Sequence, residues 1–150
     1  MITVRKGKQS DNKTIVDFQV KMAKETEQID LDRDIVNKGV NAVINSPDKG
    51  IYFVAESGDK IIASLMITFE WSDWRNGNIY WIQSVYVLPE FRKKGVFKTM
   101  YLCLKNIVQK DKNIRGLRLY VDKTNTNARK VYETMGMDGN HYLLFEWMKK

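Results

Sequence analysis

The sequence predicts an α+β fold with one mixed sheet, in which an antiparallel meander joins a parallel β-α-β unit and helices cover both faces. Turn signals at 57–59 and 75–78 separate three strand-like segments, as in an antiparallel meander. A helical apolar pattern then joins the last of these strands to a further strand, a connection that normally gives parallel, right-handed pairing. The chain of 150 residues has no repeat or linker, which predicts a single domain spanning 1–150.

The predicted elements follow one another in the order β-α-α-β-β-β-α-β-α-β. They span 2–7, 10–27, 30–47, two strands within 50–73, 79–88, a helix after Gly95, 117–121, 125–135 and 142–147. Ser10 or Asp11 can cap the first helix, and Pro47 ends the second. Gly136 closes the last helix.

The composition limits the class of protein. With 43% hydrophobic and 29% charged residues, the chain fits a soluble globular protein. No apolar run approaches the roughly 18 residues that a membrane span needs, and the N-terminus lacks the apolar core of a signal peptide. A single cysteine, Cys103, excludes an internal disulfide framework, and a single histidine, His141, argues against a zinc site. We therefore expect a cytoplasmic protein with no metal and no membrane partner.

The net charge of +7 is divided unevenly along the chain. Residues 1–87 carry 11 basic and 12 acidic side chains, whereas 88–150 carry 14 basic and 6 acidic ones. This asymmetry favours a polyanionic partner for the C-terminal part, either a phosphorylated cofactor or nucleic acid. The alternative is a solvated surface that only aids solubility.

The stretch "RKKGVF" at 92–97 lies where a strand gives way to a helix. A helix N-terminus offers free N–H groups and a positive dipole, and a glycine there admits a ligand close to the backbone. Flanking Arg and Lys side chains add charge that suits phosphate. The stretch contains neither a Walker A loop nor a Gly-x-Gly-x-x-Gly signature. It is a candidate diphosphate site, with a solvated basic helix start as the alternative.

Two motifs resemble those of the GNAT superfamily of acyl-CoA N-acyltransferases. "SVYVLPEFRKKGVF" at 84–97 is similar to the signature Arg/Gln-x-x-Gly-x-Gly/Ala after an apolar strand, with Phe97 where the family usually has Gly or Ala. "NTNARKVYETMGM" at 125–137 resembles Asn-x-x-Ala-x-x-x-Tyr-x-x-x-Gly-Phe, with Met137 in place of Phe. The resemblance covers essentially the whole chain, because the predicted element order is also that of the family. It implies acetyl-CoA as cosubstrate.

The resemblance implies how the cofactor would bind. The pantetheine arm would pair like an added strand with the backbone of 85–87, where two parallel strands splay apart. A backbone N–H there would stabilise the oxyanion, and the diphosphate would lie at the helix start. The implied cofactor-binding residues are Val85, Tyr86, Val87, Arg92, Lys93, Lys94, Gly95, Val96, Phe97, Lys98 and Asn125. Core packing of the valines and simple helix capping by Asn125 are compatible alternatives.

Tyr132 aligns with the usual general acid of the family. A phenol of pKa about 10 is a reasonable proton donor to a departing thiolate of pKa about 8–9. Without the motif, the spacing of Val131, Tyr132 and Met135 would indicate a buried helix face. The attacking amine must also lose a proton, and the candidate bases are the carboxylates of Glu27 and Glu70.

Acidic and aromatic residues suggest the acceptor site. Five acids lie between Glu25 and Asp34, in the connection that borders the acceptor in the family, although Asp30 or Asp32 can equally cap the following helix. A second group lies around the tip of the predicted hairpin, where tryptophans can wall a pocket or contact a cation, or else pack the hairpin or form a subunit interface. The candidate substrate-binding residues are Glu25, Trp71, Asp73 and Trp81.

We therefore expect an N-acetyltransferase that acts by direct attack in a ternary complex, without a covalent acyl-enzyme. The acceptor is a primary amine on a small molecule or a protein amino group, and nucleic acid is not an expected partner. Two rival functions are a non-catalytic CoA-binding module and a basic nucleic-acid-binding domain. A homodimer through the hairpin tryptophans or the last strand is a further expectation.

Overall fold

A computed structural model describes all 150 residues. The chain divides into two compact units, Met1–Leu119 and Tyr120–Lys150, and each is described on its own. The single domain expected for 1–150 stays a prediction. None of the helices combines the length and the apolar character that crossing a membrane requires.

The first unit holds a five-stranded sheet and three long helices. Its elements are β1 (Ile2–Lys6), α1 (Asn12–Glu27), α2 (Arg33–Asn45), β2 (Ile51–Ser57), β3 (Lys60–Ser72), β4 (Gly77–Val87), α3 (Val96–Lys110) and β5 (Ile114–Leu119). Short 3-10 turns precede α1 and follow β4. The second unit contains one helix, α4 (Thr126–Thr134), which agrees with the helix predicted over 125–135.

The strands lie in the sheet in their order along the chain, from β1 to β5. The pairs from β1 to β4 are antiparallel, whereas β4 and β5 are parallel and are connected through α3. The predicted α+β class, with a meander joined to a parallel β-α-β unit, is therefore confirmed. Gly58 forms the turn between β2 and β3 with φ +60°, a conformation that glycine adopts without strain.

The helices bury apolar residues against both faces of the sheet. Ile15 and Val16 of α1, Val40 of α2 and the alternate residues Tyr52 and Val54 of β2 form one buried cluster. The buried residues of α3 lie outside this cluster, and α3 packs against β5, β1 and β2, so it covers the opposite face. The buried residues of α3 are Val96, Met100, Tyr101 and Leu104.

Two strand predictions need correction. The strand predicted over 117–121 spans Ile114–Leu119, because its pairing partners on β4 run from Asn78 to Ile82. The strand predicted over 142–147 is not among the strands of the structure. A strand exists only as part of a hydrogen-bonded ladder, and the second unit by itself offers no other strand with which these residues can pair.

A buried carboxylate connects β1 to the start of α1. Asp11 is only 3% exposed, and both of its oxygens accept hydrogen bonds from Arg5, at 2.7 and 3.0 Å. Asp11 also accepts the backbone N–H of Lys8, and Arg5 donates to Glu56 on β2. Asp11 therefore holds Arg5 and the turn before α1 instead of capping the helix with its side chain.

The Asp11→Asn variant is expected to lose about 2 kcal/mol of unfolding free energy, because a bidentate bond to a charged group is replaced by a poorer neutral one. The Arg5 guanidinium lowers the pKa of Asp11, so this stabilisation is complete above the unfolded pKa of about 4 and is lost as the pH falls through the folded value. Urea unfolding at pH 7 and pH 3 checks both points. Asp48→Asn in an exposed turn is the control, and an equal loss in both variants would contradict the prediction.

Candidate functional site

The edge of β4 that faces β5 is paired with β5 over only part of its length. Pairing between the two parallel strands ends at Ile82 and Leu119, yet β4 continues through Val87. Within residues 1–119, the backbone of 83–87 therefore has a strand neighbour on its β3 side alone. Such an edge presents N–H and C=O groups that an extended ligand can pair with.

A β-bulge changes the course of β4 where the pairing with β5 ends. Tyr86 lies opposite Ser64 and Gln83 opposite Met66, so Leu65 faces two residues of β4 instead of one. Ser84 takes up the extra residue with φ +55°, a left-handed conformation that is uncommon for serine. The bulge bends β4 at the first residues beyond its last pair with β5.

The turn after β4 leads into α3 through two left-handed residues, Lys93 with φ +60° and Gly95 with φ +78°. A Cβ atom at Gly95 would meet no atom within 4 Å, so this corner is open and not filled by side chains. The N–H groups of Val96 and Lys98, in the first turn of α3, have no intrahelical acceptor. The corner thus combines open space, free donors and the positive end of a 15-residue helix.

The basic side chains at this corner differ in their surroundings. Lys93, Lys94 and Lys98 are exposed, and the ammonium of Lys94 lies 5.7 Å from the ring centre of Phe91. Val96 is buried in the core, and Phe97 is half-buried. The guanidinium of Arg92 instead donates to the carbonyl of Val87 at 2.8 Å. The corner is strongly positive, as an anion site requires.

Glu25, in the last turn of α1, contacts two other predicted site residues. Its carboxylate accepts hydrogen bonds from the Tyr86 hydroxyl at 3.1 Å and from Arg92 at 2.7 Å. The Arg92 guanidinium chiefly lowers the pKa of Glu25, and burial followed by the Glu25 hydrogen bond raises the pKa of Tyr86. Predicted cofactor-binding and substrate-binding residues therefore meet in one cluster.

The candidate bases are placed differently from each other. Glu27 lies exposed at the end of α1 and makes no side-chain hydrogen bond, whereas Glu70 on β3 forms an ion pair with Arg118 of β5. Asp32 caps α2 by accepting the N–H groups of Asp34 and Ile35, which confirms that reading of the acidic segment. Glu27 is thus the candidate whose carboxylate is not held in an ion pair.

The hairpin tip between β3 and β4 carries the other predicted acceptor residues. Trp71 is 62% exposed and Trp81 is half-buried on β4. Asp73 lies in the turn, where its carboxylate accepts the N–H of Trp74. The structure does not bring Asp73 together with Glu25, because Asp73 lies in the turn between β3 and β4 and Glu25 lies at the end of α1, each with its own hydrogen-bond partners.

In the second unit, Asn125 caps α4 by accepting the N–H of Ala128 at 3.1 Å, as its sequence position indicates. Tyr132 lies two turns further along this helix, and burial raises the pKa of its phenol. A phenol with a raised pKa stays protonated at neutral pH, so it is able to donate a proton.

Comparison with known proteins gives a family. The model of the acetyltransferase (GNAT) family matches residues 14–137, which is most of the chain. The chain belongs to the GNAT acetyltransferase family. Comparison with curated protein sequences gives no match.

Solved structures agree with membership of the GNAT family. A possible acetyltransferase from Clostridium difficile 630 is 46% identical, with a TM-score of 0.92 over 100% of this chain and 99% of the other. A predicted acetyltransferase from Clostridium acetobutylicum, crystallised with acetyl-CoA, is 23% identical, with a TM-score of 0.74 over 97% and 96%. Glucosamine-6-phosphate N-acetyltransferase from Arabidopsis thaliana is 18% identical, with a TM-score of 0.74 over 99% of each chain. The last two show likeness of fold alone.

Several features of this GNAT site were not predicted from the sequence. The bulge at Ser84 has no glycine or proline to mark it, and the contact between Glu25 and Arg92 joins residues 67 positions apart. The ion pair between Glu70 and Arg118 likewise depends on strand register. No local sequence pattern marks these features, because each depends on which residues strand register and helix packing bring together.

Proposed function

We propose that this GNAT protein transfers an acetyl group from acetyl-CoA to a primary amine by direct attack within a ternary complex. The observation that carries the proposal is the edge of β4 over 83–87 that β5 leaves unpaired, which leads directly to the open corner at Gly95. An extended thioester arm and a diphosphate require these two features next to each other. Both lie within the first unit, so their connection does not depend on the second.

The residues of the corner suit the cofactor. Free N–H groups at the start of α3 would bind the diphosphate, and Lys93, Lys94 and Lys98 would supply the opposing charge. The backbone of Val85 to Val87 would hold the arm, and one N–H there would donate to the thioester oxygen as its charge grows. Acetyl-CoA supplies the activated acyl group when it is bound.

Proton transfer requires two more groups. Tyr132 would donate a proton to the departing sulfur, because burial keeps its phenol protonated at neutral pH. The proton of the attacking amine would leave to Glu27, directly or through water, because this carboxylate is solvent-exposed and not held in an ion pair. Glu70 is the second candidate, but its pair with Arg118 favours a structural role.

The acceptor is proposed to be a cationic amine. The segment that follows α1 contains Asp30, Asp32 and Asp34, and the part of the chain up to residue 87 carries a slight excess of acid. This charge matches an ammonium ion and contrasts with the basic corner. Small-molecule amines and protein amino groups both meet the description, and the single cysteine is in keeping with the reducing conditions of the cytoplasm.

Binding and turnover measurements with acetyl-CoA and a panel of primary amines test the proposal. At 100 times its dissociation constant, acetyl-CoA is expected to stabilise the protein by about 2.7 kcal/mol, which raises Tm by roughly 5–10 °C. S-acetylpantetheine, which lacks the phosphates, is expected to give a much smaller rise. No rise with acetyl-CoA would overturn the proposal, and a rise without turnover of any amine would favour the CoA-binding module.

A further inference from the structure

The Arg92 side chain lies away from the corner at Gly95, although its sequence position suggests a phosphate ligand. Its Nε donates to the carbonyl of Val87 at 2.8 Å, and its Nη2 donates to Glu25 at 2.7 Å. The guanidinium carbon is 5.3 Å from the ring centre of Tyr86. These three contacts hold the side chain at the end of α1.

The Tyr86 ring and the start of α3 lie on opposite faces of the sheet. The Tyr86 ring lies 5.0 Å from the ring of Phe18, so it points toward α1. The free N–H groups of the corner begin α3, which covers the other face. Arg92 is therefore attached to the backbone of the cofactor turn while its charged group lies on the α1 side.

Glu25 has both carboxylate oxygens engaged. Oε1 accepts a hydrogen bond from the Tyr86 hydroxyl and Oε2 accepts one from Arg92, so the negative charge of Glu25 is already balanced by a guanidinium. One turn later α1 ends, with Gln28 in a left-handed conformation at φ +53°, and the acidic segment begins. The position of Glu25 thus sets where this segment leaves the helix.

We propose that Arg92 and Glu25 are a positioning pair, in which Arg92 fixes the last turn of α1 and thereby the acidic segment that receives the amine. Arg92 then binds no phosphate, and Glu25 does not itself bind the amine. The inference rests on the proposed function for its acceptor, but its contacts lie wholly within residues 1–119.

The exposure of the pair separates a positioning role from a stabilising one. The side chains of Arg92 and Glu25 are 43% and 40% exposed, and solvent-exposed ion pairs contribute little to unfolding free energy. Breaking the pair should therefore leave Tm within about 2 °C of wild type while it frees the end of α1. A change in amine KM at constant stability is the expected sign of positioning.

Arg92→Lys and Glu25→Gln, singly and together, test the proposal. Each single variant is expected to raise the amine KM about 5–10-fold and to leave the dissociation constant of acetyl-CoA within about 2-fold. The double variant should be no worse than either single one, because both break the same contact. Lys94→Ala is expected to weaken acetyl-CoA several-fold without changing the amine KM. Glu90→Gln, which breaks the exposed pair with Lys60, is the matched control and should change neither constant.

Amide hydrogen exchange of residues 26–32 supplies a readout that needs no turnover. Exchange should quicken in Arg92→Lys and Glu25→Gln but not in Glu90→Gln. Three outcomes would each overturn the proposed positioning pair. The first is unchanged exchange in Arg92→Lys and Glu25→Gln, and the second is an amine KM in the double variant that multiplies the two single effects. The third is a loss of acetyl-CoA affinity in Arg92→Lys equal to that in Lys94→Ala. If the wild-type protein binds no acetyl-CoA, the proposed function fails, and the exchange data alone decide whether Arg92 positions α1.

Discussion

The Tyr132→Phe variant is expected to lose about 1000-fold in kcat while it binds acetyl-CoA as tightly as wild type. General acid catalysis contributes about 10²–10⁴-fold, and phenylalanine keeps the ring but has no proton to give. The departing thiolate must then take its proton from water. Stopped-flow turnover and calorimetric titration with acetyl-CoA measure the two constants separately.

The control for this variant is Tyr101→Phe. Tyr101 lies on α3, is 6% exposed, and burial raises the pKa of its phenol as it does that of Tyr132. It has no place in the proposed chemistry, so its kcat should stay within about 2-fold of wild type. Because burial raises the pKa of Tyr132 from its ordinary value, wild-type kcat should show no loss of the acid up to about pH 9. Equal kcat values for Tyr132→Phe and wild type would remove Tyr132 from the mechanism.

The Gly95→Val variant is expected to bind acetyl-CoA about 100-fold more weakly. Gly95 has φ +78°, where a β-branched residue is strained by about 1–2 kcal/mol. A valine side chain would also occupy the open space in which we propose that the diphosphate lies. The strain in the turn and the loss of open space are both expected to weaken the binding of acetyl-CoA.

Gly58→Val separates these effects from general destabilisation. Gly58 has φ +60° and equally open surroundings, but it lies in the turn between β2 and β3. Both variants should lose about 1–2 kcal/mol of unfolding free energy, and only Gly95→Val should lose acetyl-CoA affinity. Similar affinities in the two variants would show that the corner is not the diphosphate site.

The fold was predictable because the turn residues in the sequence agree with the strand pairing that the connections between strands require. The turn at 57–59 and the start of the helix after Gly95 are marked by glycines, which readily adopt left-handed conformations that other residues rarely take. The parallel pair of β4 and β5 then followed from the helix between them. The segment at 142–147, predicted as a strand, is rich in apolar and aromatic residues, but composition does not identify the neighbour that a strand needs.

The candidate site was only partly predictable, for a different reason. The sequence identified which residues carry charge and which glycine permits a close approach, as at Lys94 and Gly95. It did not identify which charges neutralise each other, because Arg92 meets Glu25 only after α1 has packed on the sheet. The chemistry of a side chain can be read from the sequence, whereas its partner from a distant element is set by tertiary packing.

The end of the ladder at Ile82 has an evolutionary consequence. If β4 binds the cofactor as we propose, main-chain atoms hold it whatever residues present them, so packing alone would select the side chains of Val85 and Val87. Related chains should therefore drift freely between similar apolar residues on this stretch while keeping its length and its kink. Geometry, and not residue type, would be the inherited trait.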